Sequence, residues 1–365
     1  MKKHLSAWLS LLLVCMICLL TACGSSGSSS TSAVSPSADA SKNTASAIQQ
    51  AQTVEAEFEM ICATTVPTSD PIYMGMDFLG KTLLEKSGGR IKTTIYPNQQ
   101  MGKSDSENLE NLQRNVIQMT VSTTGTLGAA GNIPEFEVFD CPYLFANNEK
   151  LFLISEGEVG EMLAEKLLEK TGMRVTSSYN MGFGIISSNK RPILLPDDLS
   201  GLKIRTIPST GTMEAVKSWG ANPVSMGLGE LLTAIQQGTV DGLTTSPGLY
   251  VSNRMYEVQK YGSNINALPI FHFNVVNNEW YQSLPDDLKV AFDESIQEYQ
   301  TEVRELERQD NVKALQTLRD NGMEITELTD EQRQVFADAT KPVADSFGSI
   351  CGEEVLAKVH ELLGQ

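Results

Sequence analysis

The sequence predicts an α/β protein of two units built on parallel sheets, and three observations predict it. Short apolar runs alternate with amphipathic helical patterns along the body of the chain. Glycines and capping residues mark the changeovers: Gly88-Gly89, Gly172, Gly220 and Gly238 stop helical patterns, and Ser104-Asp105-Ser106-Glu107 opens one with the form of a capping box. Once an export-like start and a low-complexity stretch are set aside, about three hundred residues remain, enough for two domains.

The export-like start comes first. Lys2 and Lys3 precede an apolar run from Ala7 to Leu20, which is too short and wrongly flanked for a membrane span. It ends in Leu20-Thr21-Ala22-Cys23, a lipobox-like site. Residues 1–22 are therefore expected to be a lipoprotein signal peptide. Cys23 is expected to carry a lipid anchor, each buried CH₂ of which contributes about 0.8 kcal/mol. Residues 23–53 are mostly Ser, Ala, Gly and Thr and cannot repay the entropy of ordering, so a flexible tether is expected there.

The body then reads in order. Val54 to Thr64 is a first strand, and Asp70 to Lys86 is a helix stopped at Gly88. Arg90 to Tyr96 is a second strand. The capping box opens a helix carrying Leu109, Leu112 and Val116, and Gln118 to Thr123 is a third strand ending in a polar turn. Glu149 to Lys170 reads as one helix. Met173 to Ser178, Gly184 to Ser187 and Leu202 to Thr206 are extended, and helices run to Trp219 and over Leu228 to Gln237. Val240 to Leu243 and Leu268 to Val276 are strands. Pro285 to Asp320 is one long helical pattern with charges outside, and a second capping box at Thr329 opens a helix continuing to near Leu363. Two hinged α/β units with polar loops at their strand ends predict a ligand cleft between them.

Charge and composition exclude several functions. The formal charge is −17, moving to −19 when Lys2 and Lys3 leave, which argues against nucleic acid or an anionic membrane surface as partner. After processing, Cys62, Cys141 and Cys351 remain; without metal-like spacing they read as buried free thiols, with a Cys62–Cys141 bridge unsupported by sequence. No metal and no cofactor is expected. Gly75-Met76-Asp77-Phe78-Leu79-Gly80-Lys81-Thr82 matches the P-loop pattern by letter. A working P-loop needs a strand before it and a helix starting at the lysine, and here the match lies inside a helical pattern. His272, between two phenylalanines, reads as a packed strand histidine, and Glu230 as a solvated or capping residue. With no nucleophile–base set in view, an enzyme is not expected; a secreted hydrolase stays as the alternative from another class.

Four segments, in order, carry a family resemblance. They are Pro134-Glu135-Phe136-Glu137-Val138-Phe139-Asp140-Cys141-Pro142-Tyr143-Leu144-Phe145, Pro196 to Arg205, Trp219 to Val224, and Glu230 to Gly242. Together they resemble the DctP-type extracytoplasmic receptors of tripartite ATP-independent (TRAP) transporters, over a span from about Glu55 to the C-terminus. The resemblance implies a two-lobed, periplasmic-binding-protein-like α/β fold with hinge crossings and a long C-terminal helix spanning both lobes. Lobe I is expected over 54–180 with 270–310, and lobe II over 181–269 with 311–365. It also implies that Arg205 salt-bridges a ligand carboxylate, for which a planar guanidinium fork is well matched. Tyr73, Thr123, Phe183, Leu228 and Thr245 are further cleft candidates. A second arginine common in such receptors is absent, because that segment reads Gly182-Phe183-Gly184-Ile185. One arginine among hydroxyls suits a single carboxylate on a polar or apolar body better than a C4-dicarboxylate. The implied partners are a small organic acid, TRAP membrane subunits and the outer face of the cell membrane, reached through the Cys23 anchor. A lipoprotein serving a sensor kinase is the alternative reading of the same lobes.

Overall fold

Alternation of apolar side chains forms β1 (Phe58–Ala63) at the start of a computed structural model that describes residues 56–365. The signal, lipid-anchor and tether readings lie outside the described residues. Asp70 accepts from the Ile72 amide and, with Pro71 at the first position, starts α1 (Pro71–Lys86). There follow β2 (Ile91–Tyr96), α2 (Asp105–Gln113) capped by Ser104, and β3 (Met119–Thr123). Next are α3 (Thr124–Gly131) and a 3-10 turn over Pro134–Asp140. The expected single helix over Glu149–Lys170 is two: α4 (Asn148–Ser155) and α5 (Glu158–Thr171). Gly157 caps the second, and a Cβ at Gly160 would overlap the Ser155 carbonyl, so the chain turns where only glycine fits. The strand β4 (Met173–Phe183) completes the first run.

The second run holds β5 (Ile185–Ser188), β6 (Lys203–Thr206), α6 (Thr210–Ser218), β7 (Asn222–Ser225) and α7 (Leu228–Gln236). It continues through β8 (Gly242–Thr245), α8 (Pro247–Ser252) and β9 (Tyr261–Asn264). The chain then crosses to β10 (Pro269–Asn277), α9 (Asn278–Ser283) and α10 (Asp286–Asp320). It ends with β11 (Glu324–Glu327), α11 (Asp330–Asp345), α12 (Gly348–Cys351) and α13 (Glu353–Leu363).

Two sheets result, ordered β2-β1-β3-β10-β4 and β11-β9-β5-β8-β6-β7. They are mixed rather than wholly parallel. β10 runs antiparallel to β3 and β4, and β5 runs antiparallel to β8 and β9. These are the strands that enter each sheet from the other lobe, so they lack the helical crossover that imposes a parallel direction. Both faces of the first sheet are covered. Phe271, Phe273 and Val275 of β10 join one core, and Ile270 and Val276 join another with Met60, Met76 and Phe292. The second sheet is likewise packed on both sides, around Trp219 and Phe336 and around Leu243 and Tyr250.

α10 has 35 residues, roughly 50 Å at 1.5 Å per residue, and contains neither glycine nor proline. Its N-terminal half buries Leu288, Phe292 and Tyr299 against the first sheet, and Leu318 packs in the second lobe. α1 lies along it: a Cβ on Gly75 would sit 3.0 Å from the Tyr299 ring and 3.1 Å from Val303. The P-loop-like glycine is thus a helix-packing contact. The C-terminus corrects the expected lobe II boundary. α11 packs on the second lobe through Phe336, but Phe347, Cys351, Val359 and Leu363 join Phe136 and Phe139 in the first. The reason is the apolar stripe Val355-Leu356-Val359-Leu363 on α13, which finds its buried face there.

Candidate functional site

A cavity of about 250 Å³ lies where strand ends of both sheets converge. The first lobe contributes Thr65 after β1, Ile72 on α1, Asp105 on α2 and Thr123 at the end of β3. The second contributes Arg205 of β6, the Ile207-Pro208 segment, Leu228 at the start of α7 and Thr245 at the end of β8. Met181, Ile270 and His272, near the crossing segments, complete the wall.

Arg205 is the cation lining this space. β6 pairs with β8 on one side and β7 on the other, which buries its end and leaves Arg205 3 % exposed. Its Nε donates to the Met226 carbonyl at 3.0 Å, which fixes the plane of the guanidinium. Nη1 is buried and has no partner. Burial lowers the guanidinium to about 10 from its ordinary value, opposed by the negative charge of Asp105. Thr245 is 1 % exposed and its Oγ1 is also without a partner, as is that of Thr244. Thr123 Oγ1 lies 2.9 Å from Thr126 Oγ1, so one hydroxyl of that pair keeps a proton to give.

Two groups in the wall were not among the sequence candidates. Asp105, half-buried, accepts from Thr65 Oγ1 at 3.4 Å. Desolvation pushes its carboxyl up to about 6, against the backbone of Thr123, the Thr65 hydroxyl and the Arg205 charge. His272 stacks on Tyr179 with centroids 5.6 Å apart, and burial holds its imidazole down at about 4. The ring is therefore neutral at physiological pH. Among the wall's ionisable groups there is one cation set against Asp105 and the exposed Glu230.

Of the residues expected from sequence, Arg205, Thr123, Leu228 and Thr245 meet at this cavity. Tyr73 does not. α1 turns about 100° per residue, and it is the preceding Ile72 that faces inward while Tyr73 is half-buried outside the cavity. Phe183 lines a separate groove with Phe152, Arg304 and Asn311. Gly182 has φ 106°, which breaks strict strand alternation, so Met181 reaches the cavity and Phe183 the groove. At Gly184, in the segment that carries a second arginine in many such receptors, a Cβ would already lie 3.1 Å from Thr244 Oγ1.

Among the described residues no group of three or more acidic, His or Cys side chains could hold a metal ion, and the three described cysteines are free and buried. No described helix is long and apolar enough to cross a membrane.

Residues 62–349 match the family model described as bacterial extracellular solute-binding protein, family 7. The chain is 35 % identical over 280 residues to the C4-dicarboxylate-binding periplasmic protein DctP of Rhodobacter capsulatus, covering 76 % of this chain and 83 % of that one. Among solved structures it is similar to a TRAP periplasmic solute-binding protein of Sulfurospirillum deleyianum with bound succinate. That match has TM-score 0.79 and 26 % identity, covering 84 % of this chain and all of that one. A Polaromonas TRAP solute-binding protein bound to D-erythronate matches with TM-score 0.77 and 26 % identity, over 83 % of this chain and 98 % of that one.

Proposed function

As the chain belongs to the bacterial extracellular solute-binding proteins of family 7, receptors that capture small organic acids outside the cytoplasm for uptake, we propose that its acid is held by carboxylate on Arg205. The observation that carries this is the buried, unpartnered Nη1 of Arg205, in a cavity that the residue with an unpartnered hydroxyl, Thr245, also lines. A buried cation without a partner is costly, about 3–5 kcal/mol where one member of a pair is removed. An incoming carboxylate relieves that cost, and Nε, held by Met226, keeps the fork aimed at it.

The ligand is a monocarboxylate with a polar body. A second carboxylate would find Asp105, Glu230 and a neutral His272 rather than a cation. The relative named for C4-dicarboxylates and the neighbour holding succinate favour the opposite choice, and the neighbour holding D-erythronate favours this one. Thr123 and Thr245 offer hydroxyls for the body, and Leu228 and Ile270 pack on its carbons. The protein captures and delivers without catalysis. Closure of the lobes, divided near residues 181 and 270, presents the loaded form to TRAP membrane subunits. A lipid on Cys23 keeps the receptor at the outer face of the membrane.

Isothermal titration with D-erythronate, D-galactonate, pantoate and succinate tests the ligand class. Micromolar or tighter binding of a hydroxylated monocarboxylate, lost in Arg205→Met, is expected. Tight succinate binding with no monocarboxylate uptake would overturn the monocarboxylate assignment. Metabolic labelling with a fatty-acid probe, lost in Cys23→Ser, tests the anchor.

A further inference from the structure

The strand that carries Arg205 leads within three residues to a contact between the lobes that ligand binding alone does not require. Glu137 sits in the 3-10 turn of the first lobe, between Phe136 and Val138 of its core, and is 8 % exposed. Its carboxylate reaches across to the second lobe. Oε2 accepts from Ser209 Oγ at 2.9 Å and from the Gly211 amide at 3.0 Å, and Oε1 accepts from the Thr210 amide at 2.9 Å. These amides are the free donors at the N-terminus of α6, where a negative charge is favoured. The surfaces on either side are shaped for close approach. A Cβ on Gly125 would overlap the Pro208 carbonyl, and one on Gly211 would lie 2.6 Å from the Phe347 ring and 3.1 Å from the Asp140 carbonyl. Pro208 also lines the cavity, as do Thr123 and Thr126 on the facing side.

We propose that Glu137 is a positioning residue for ligand retention: a carboxylate of one lobe that grips the α6 N-terminus of the other and so holds Arg205, five residues upstream of α6, in its binding position while the cavity is closed. The contact forms when the lobes come together, so it stabilises the loaded state without touching the ligand. It acts on departure of the ligand rather than on entry, because the encounter with Arg205 precedes the grip. Asp140, three residues along the same 3-10 turn, is pushed upward by burial and by the Glu137 charge.

This inference rests on the carboxylate reading of Arg205, and the test separates the two. Stopped-flow fluorescence on the full-length protein, with D-erythronate and D-galactonate as probes, gives association and dissociation rates for wild type, Glu137→Gln and Arg205→Met. Glutamine keeps the volume but sets an NH₂ against N–H or O–H donors. The expected result is a dissociation rate raised on the order of tenfold with association unchanged. Glu137→Asp, which keeps the charge on a shorter arm, is expected to lie between and stands in should the glutamine variant fail to fold. A cap that serves α6 stability alone would lower the melting temperature and leave the dissociation rate at the wild-type value, which overturns the proposal. An effect confined to association overturns it too. Failure of wild type to bind either monocarboxylate while Arg205→Met behaves identically overturns the carboxylate reading, and this one with it.

Discussion

At Arg205 the physics of stability and of binding pull in opposite directions. The side chain is desolvated, one donor is committed to Met226 and Nη1 is left for a ligand. Arg205→Met removes an unpaired buried charge, so the ligand-free protein is expected to gain about 1–3 kcal/mol while losing binding; calorimetric melting of ligand-free protein reads the gain. Arg205→Lys keeps the charge but not the fork, and a loss of affinity on the order of a hundredfold is expected by titration calorimetry. His272 gives a pH signature of its own. Its folded value, about 4, lies below the ordinary 6.5, so it contributes stability that is complete above about pH 6.5 and lost as pH falls toward 4. His272→Gln is expected to flatten the acid limb of a Tm–pH curve. The residues of this site were legible unevenly. Arg205 was readable because a segment resemblance singled out one strand-end cation. Tyr73 falls one helical step from the inward face, and the positive φ of Gly182, which strand periodicity does not encode, brings Met181 rather than Phe183 to the cavity. Asp105 stood in plain view inside a capping box and was read for its helix rather than for the space beside it.

Among the elements, α1 and α10 hold the first lobe together through a close helix pair. Gly75 is where α1 meets Tyr299 and Val303, and Tyr299 in turn donates to Asn274 Oδ1 on β10 at 2.7 Å. Gly75→Leu is expected to push these helices apart at a cost of about 1–3 kcal/mol, read as a lowered melting temperature with secondary-structure content retained. Helix starts were the best-read features. Ser104 and Thr329 accept from the amides of Glu107 and Gln332, as their capping boxes announced. Long-range pairing was not readable. The antiparallel course of β10 depends on pairing with β3 and β4, far off in sequence, and the break between α4 and α5 on a turn tight enough to need Gly160. β9 and β11, four residues each, carried too little pattern to register as strands.

Over the whole molecule, acidity and burial combine. The chain carries a formal charge of −17, yet Asp70 and Glu307 are 0 % and 1 % exposed. Burial raises both carboxyls, Asp70 to about 6, with Asp310 adding repulsion to each. Their folded values stand above the unfolded ones, so the native state binds protons more readily. Stability from Asp70 therefore rises as pH falls through about 6 toward the unfolded carboxyl range near 4, and that from Glu307 changes in the same direction. The carboxyl contribution to melting temperature is expected to climb as pH falls from 8, with His272 opposing it from about pH 6.5 downward. Asp70→Asn, whose Oδ1 can still accept from the Ile72 amide while its Nδ2 donates to Ser252 Oγ, is expected to reduce that slope. The state of the three described cysteines follows from the same sealed packing. Cys62 and Cys351 are 0 % exposed and Cys141 is 1 % exposed, and burial lifts all three thiols, Cys62 to about 12, so thiolate is scarce. Within the described residues no thiol is therefore open to pairing with a neighbouring molecule. The same seal makes the described residues a silent background for chemistry: among them, one cysteine engineered onto the surface should react alone, and a probe fixed there would report lobe movement with Cys62, Cys141 and Cys351 left in place.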